Sequence, residues 1–256
     1  SGIVALSMSA LPLPAGPAGA VDNVVCRFSD DRLVEISGMA PSNVHVDVLW
    51  LHNDSGGGPR LYAVSSRTCR TLATITVRGA RARDYEAIAS GRDAKGRAVL
   101  WLGDIGDNRD NWPYVEILRI AEPERLVDQQ VVARTTRVSY DDRPHNAETL
   151  LADPGRPSLW IVTKQLAHGS LYALPNPLRS HSANIARRIR EEGPLITDGA
   201  ISPDRRRYVL RDYLNATIYA GLPPGRQIGR VELPLQLQGE SICWSTRPRS
   251  GDRRPN

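Results

Sequence analysis

The stretch EAIASGRDAKGRAVLWLGDIGDN, residues 86 to 108, holds two short apolar runs separated by the charged, Gly-containing turn RDAKGR. Runs of this length, bounded by polar turns, read as neighbouring β-strands. The second run breaks into Asp104, Asp107 and Asn108, which gathers side-chain oxygens at a strand end.

The opening phrase recurs along the chain. SGMAPS begins at residue 37, EAIASG at 86, ETLLAD at 148, GAISPD at 199 and ESICWS at 240. After each of the first four comes a second apolar phrase (VLWLHND, VLWLGD, SLWIVTK, YVLRD) and then a third (RLYAVS, VEILRIA, SLYALP, TIYAGL). A weaker β-like segment, such as LATITVRG, TTRVSYDD or GRVELP, closes most units. Four strands repeated every 40 to 60 residues or so are the signature of propeller blades rather than stacked helical repeats. The expectation is an all-β chain, a five-bladed β-propeller, with Trp50, Trp101 and Trp160 as blade-packing residues at one register of the second strands. One stretch, NPLRSHSANIARRIREEG at 176 to 193, reads either as a short helix or as a long loop with an outer strand.

The last unit is short. After ESICWS only TRPRSGDRRPN follows, so the fifth blade is expected to be incomplete, and NVVCRFSDD at 23 to 31 is the segment expected to lend it a strand. Residues 1–20, apolar, rich in Pro and Gly and ending in Ala18-Gly19-Ala20, read as the remnant of a secretory signal, too short for a membrane span. The propeller domain then covers 21–246, and 247–256 form a basic flexible tail.

Of the 256 residues, 41% are hydrophobic and 24% charged, which places the chain among globular proteins and far from disorder. The formal charge is +5, but Lys95 and Lys164 are the only lysines, and the arginines are scattered through turns without interleaved aromatics. Such a surface is a solvated one, and a nucleic-acid partner is not expected.

In a blade of antiparallel strands, the start of the innermost strand and the end of the second strand share one end of the sheet. Asp84, Glu86, Glu148, Asp198 and Glu240 sit at first-strand starts, and Asn53, Asp54, Asp104, Asp107, Lys164 and Asp212 at second-strand ends, so all are expected around one mouth of the channel. Crowded carboxylates need a compensating charge. With no CxxC, HExxH or close His pair, a ring of carboxylate oxygens suits calcium better than zinc, and Asp54, Glu86, Asp104, Glu148 and Glu240 are the expected ligands, at least three of them sharing one ion. Asn53, Asp54, Asp84, Asp107, Asn108, Lys164 and Asp212 are candidates for ligand binding. The segment DIGDNRDN lacks the spacing of an EF-hand, and Ser55 in HNDSGGG lacks the preceding Gly of a nucleophile elbow.

The ordered series EISGMAPS, LHNDSG, DYEAIA, LWLGDIGDN, HNAETLL, IVTK, DGAISPD and GESI, from about Cys26 to Ser245, resembles a family of secreted actinobacterial WD40/TolB-like β-propeller proteins of unassigned function. That resemblance implies secretion and a propeller. More distantly, through axial acids alone, the chain is similar to the calcium-centred propeller lactonases and phytases. Gly199, where other units carry Glu, departs from the pattern. The family carries both Cys26 and Cys69, and a bond between them would tie the segment before the first blade to its third strand, leaving Cys243 free.

Two functions follow as expectations. The first is a secreted, monomeric binding or scaffold propeller whose acidic mouth holds calcium, a small molecule or a cell-envelope ligand. The second is a calcium-dependent hydrolase of a phosphoester or lactone, with Asp104 or Glu148 as the base.

Overall fold

The computed structural model describes residues 3–6, 24–54, 58–180, 182–234 and 240–245. Ser55, the tail 247–256 and all of 1–20 except 3–6 lie outside the described residues. Nineteen strands and no helix occur among them. They are β1 (Ile3–Leu6), β2 (Ile36–Pro41), β3 (Val48–Asn53), β4 (Arg60–Ser65), β5 (Thr71–Arg78), β6 (Tyr85–Arg92), β7 (Ala98–Asp104), β8 (Val115–Ala121), β9 (Gln129–Val132) and β10 (Arg134–Tyr140). The chain continues through β11 (Ala147–Ala152), β12 (Leu159–Thr163), β13 (Gly169–Ala173), β14 (Ile185–Glu192), β15 (Asp198–Ile201), β16 (Arg207–Arg211), β17 (Asn215–Ala220), β18 (Gln227–Glu232) and β19 (Ser241–Trp244).

Consecutive antiparallel pairing makes four meanders: β2 to β5, β6 to β8 with β10, β11 to β14, and β15 to β18. β19 pairs antiparallel with β1, Ile3 opposite Trp244. Two parallel pairings join the outer edges. β9 adds to β5, and the start of β14 runs beside the end of β10, which fuses the second and third meanders into one eight-stranded sheet. The stretch at 176 to 193 thus supplies an outer strand and no helix.

The strands that open the units follow one another around an axis. β2 lies beside β6, β6 beside β11, β11 beside β15, β15 beside β19, and β19 beside β2. This is an all-β, propeller-like architecture. Its apolar core is divided among the gaps between successive units, because side chains alternate across each strand. Leu100 and Leu102 of β7 face Trp50, Leu61 and Ile75 of the first unit, while Val99 and Trp101 face Leu150, Leu159 and Ile161 of the third. Val209 of β16 packs on Ile242 and Trp244, and Cys243 on Met39, Leu51 and Tyr62.

The three tryptophans share a register. Trp50 is paired with Ala40, Trp101 with Ala89 and Trp160 with Leu151, each partner three positions after Ser37, Glu86 or Glu148. Cys26 and Cys69 form a disulfide with a Cα separation of 5.7 Å, and Cys243 is free and buried. Residues 24–30, expected to lend a strand to the last unit, form none; the disulfide anchors them instead, and β1 is the strand paired with β19.

Candidate functional site: an acidic mouth built on three bulges

In the first three units the opening strand carries a β-bulge at one common position. Ile36 pairs with Asn53 and Gly38 with His52, which leaves Ser37 unpaired. Tyr85 pairs with Asp104 and Ala87 with Gly103, leaving Glu86, while Ala147 and Thr149 pair with Thr163 and Val162, leaving Glu148. A bulge puts two residues against one and re-aims the extra side chain, so Ser37, Glu86 and Glu148 turn together toward the axis. Ser37 Oγ donates to Glu86 Oε2 at 3.0 Å.

The fourth unit has no bulge at this point. Asp198 pairs with Arg211 and Gly199 with Leu210 in an unbroken ladder, and a Cβ on Gly199 would stand 2.7 Å from the Val209 carbonyl oxygen. A glutamate cannot fit there, which accounts for the departure at Gly199. The acid of this unit is Asp198, one residue earlier and buried, whose carboxylate accepts the N–H groups of Gly199 and Ile242, each at 2.7 Å. Burial raises its pKa well above the usual carboxylate range, against the pull of Arg211.

One oxygen each from Asp54, Asp84 and Glu86 lie within 4.8 Å of one another. Burial, followed by the charges of Glu148, Asp54 and Asp84, pushes the Glu86 carboxyl up to about 9. Asp84 is pushed up to about 6 by burial and by Asp54, Asp104 and Asp107, with Arg83 opposing. Glu148 rises to about 7 through burial, held back by its ion pair with Lys164, and Glu240 is raised by burial against the same lysine. The charge of Asp54 acts on Glu86, Glu148 and Glu240 alike, and that of Glu148 on Glu86, so these carboxyls lie within electrostatic reach of one another.

Asp104 serves this cluster indirectly. It is fully buried; one oxygen accepts Arg83 Nε at 2.9 Å and the other the Asp84 N–H at 2.7 Å. Asp104 therefore positions Asp84. Arg83 in turn lies 4.3 Å below the Trp112 ring. Asp107 accepts the N–H groups of Asn111 and Trp112 at 2.7 Å each, four and five residues on, and Asp212 those of Leu214 and Asn215 in an Asx turn, so both hold loops. Asn53 Nδ2 donates to the Arg32 carbonyl at 2.6 Å, and Asn108 is exposed. The Lys164 ammonium sits 5.2 Å from the Tyr213 ring centre.

Two contributors escaped the sequence reading. Ser37 occupies the repeat position of Glu86 and Glu148, a match visible once the five phrases are aligned. Gly106 lies against Asp84 so closely that a Cβ would overlap its carboxylate. The Gly between the two aspartates of GDIGDN is therefore there to leave room for a third, and no local sequence signal announces it.

No protein-family model matches the chain, and no curated protein matches it. Among solved structures, a chain from the complex of KlAtg21 with the coiled-coil of AgAtg16 aligns over 78% of this chain and 57% of its own, at 12% identity and a TM-score of 0.42. The hydrazine synthase of Kuenenia stuttgartiensis aligns over 84% of this chain and 53% of its own, at 14% identity and a TM-score of 0.41. The present chain spans little more than half the length of either.

Proposed function

We propose that this chain is a secreted, monomeric five-bladed propeller that binds a divalent cation at its acidic mouth and presents it to a small-molecule or cell-envelope ligand. The observation that carries the reading is the approach of three carboxylate oxygens, from Asp54, Asp84 and Glu86, to within 4.8 Å. Lys164 is engaged by Glu148 and Arg83 by Asp104, so neither basic side chain is centred on that trio. Only hard oxygen donors are offered, which suits calcium. The disulfide supports an oxidising compartment.

Calcium titration followed by heat unfolding tests the reading. Calcium at about 100 times its Kd should stabilise the fold by about 2.7 kcal/mol, and Asp84→Asn should remove most of that gain. Unchanged melting of the wild type in calcium would reject it.

A second reading, a calcium-dependent hydrolase of a phosphoester or lactone, draws on Glu148. Its carboxyl, pushed up to about 7 beside the trio, suits a general base for an ion-bound water, whereas Asp104 has both oxygens occupied. Turnover of generic phosphoesters and lactones, abolished by EDTA and by Glu148→Gln, is its signature.

A further inference from the structure

Cations that lie scattered along the sequence are gathered by the fold. The acidic mouth stands where first strands start and second strands end, so the turns from first to second and from third to fourth strand of each meander lie at the opposite end of the ring. These turns touch across unit boundaries. His45 Nε2 lies 2.8 Å from the Pro123 carbonyl oxygen, Asn43 Nδ2 donates to the Gly91 carbonyl at 3.3 Å, and Arg205 Nη2 donates to Asp153 at 3.0 Å. On the face they form stand Arg70 of the first unit, Lys95 and Arg125 of the second, Arg156 of the third, and Arg206 and Arg226 of the fourth. All six are exposed, and none forms a salt bridge among the described residues.

Most acids of the same turns are engaged by the fold. Asp93, Glu122 and Asp153 are buried and accept the N–H groups of Arg97, Asn43 and Gly155, and Asp47 pairs with Arg67 at 3.6 Å. Glu124, Asp128 and Asp204 are exposed, too few to cancel the six cations. The two ends of the ring therefore differ in sign, with the carboxyls clustered at the mouth and a cationic surplus opposite. The cationic face also holds aliphatic side chains in water. Val46, on the β2–β3 turn, is 89% exposed, and Val44 and Leu72 are 42% and 43% exposed. With Leu126 they line a groove of about 830 Å³ bounded by Arg67 and Arg70. A soluble polyanion would meet the cations but gain nothing from these aliphatics, and single-stranded nucleic acid would call for aromatic rings, which these turns lack. A bilayer uses both features, since its phosphates receive arginine and lysine while its acyl boundary receives aliphatic side chains.

We propose that the end of the ring opposite the acidic mouth docks on an anionic lipid bilayer. The six cations meet headgroup phosphates, and Val46 enters the acyl boundary beside the groove. The mouth then faces away from the bilayer, open to solution. Docking needs no cation at the mouth, so it stands apart from the binding proposed there.

The test mixes the full chain, in EDTA and at physiological salt, with vesicles of phosphatidylcholine alone and of phosphatidylcholine and phosphatidylglycerol in equal parts, and reads binding by cosedimentation. EDTA removes calcium bridging. The apolar residues 1–20 would favour neither vesicle, so the difference between the two reports the charged face. The anionic vesicles should be bound at least about a hundredfold more tightly. Arg70→Gln with Arg206→Gln should weaken that binding about thirtyfold, and Val46→Ser about tenfold. Arg81→Gln with Arg109→Gln, an equal loss of charge from exposed residues at the mouth end, should change it by less than about threefold, because salt screens the longer distance. Equal binding to both vesicles, or an equal loss in the two arginine pairs, would overturn the inference. So would a DNA duplex that displaces the protein from vesicles while Val46→Ser binds like the wild type, a result that would assign the face to a polyanion.

Discussion

Replacing Glu86 by Gln should stabilise the metal-free protein at neutral pH. Its carboxyl has an ordinary pKa of 4.5 and is pushed up to about 9 in the fold, first by burial and then by Glu148, Asp54 and Asp84. Between those values the folded chain holds a proton that the unfolded chain has released, so stability is full below the lower value and falls as pH rises through the window. Neutral pH lies roughly 2.5 units above the unfolded value, and at about 1.4 kcal/mol per unit the loss is about 3 kcal/mol. Gln keeps the shape of the protonated acid and still offers an oxygen to the Ser37 hydroxyl, but it has nothing to ionise. The figure is a ceiling, because Glu148 titrates with Glu86. Urea unfolding in EDTA, read by tryptophan fluorescence, should show Glu86→Gln ahead by about 2–3 kcal/mol at pH 7 and by less than about 1 kcal/mol at pH 5. Saturating calcium should reverse the order, since the wild type alone keeps all three carboxylates. Equal stabilities at both pH values in EDTA would refute the claim that Glu86 is buried among like charges.

Gly106→Ala, whose methyl would displace the Asp84 carboxylate, should reduce the calcium-induced rise in melting temperature by at least half while costing about 1–3 kcal/mol in folding. Lys164→Met strips Glu148 of its ion-pair partner; the loss, about 3 kcal/mol at pH 8, should shrink as pH falls through about 7 and Glu148 becomes protonated, which a pH series of urea unfolding would show. Cys26→Ser, opening a loop with a sequence separation of 43, should cost up to about 4 kcal/mol by the same assay, and buried Cys243 should resist thiol reagents in the native state.

The repeat phrases made the strands legible because strands buried on both faces are written as continuous apolar runs between polar turns, and the shared register of Trp50, Trp101 and Trp160 follows from the same spacing. The bulges at Ser37, Glu86 and Glu148 were not legible, since a bulge is a property of the pairing between two strands and no residue type is reserved for it. That hidden geometry decides the fate of each acid. Glu86 and Glu148 turn to the axis, whereas Asp198, on an unbroken ladder, is held by backbone N–H groups. Asp104 looked equivalent to Asp54 in the sequence, but only the fold reveals that Arg83 reaches back to neutralise it. The parallel pairings of β9 and β14 were equally invisible, because they depend on which neighbour lies beyond each edge.

Those edge pairings bear on how such a chain can be rearranged. By sequence β9 belongs to the second repeat, yet its hydrogen bonds go to β5 of the first, and Ala133 just after it donates to the Arg78 carbonyl at 3.0 Å. Excising or duplicating residues 85–140 as a cassette would strip the first sheet of its outermost strand and, at the other end, leave β14 without β10. Solenoid repeats touch only their neighbours through equivalent faces and tolerate gain or loss of a unit. Here the first two boundaries are stitched across, so the first three repeats are exchangeable only as a set, and a circular permutation is better opened within a β-turn than at either of those junctions.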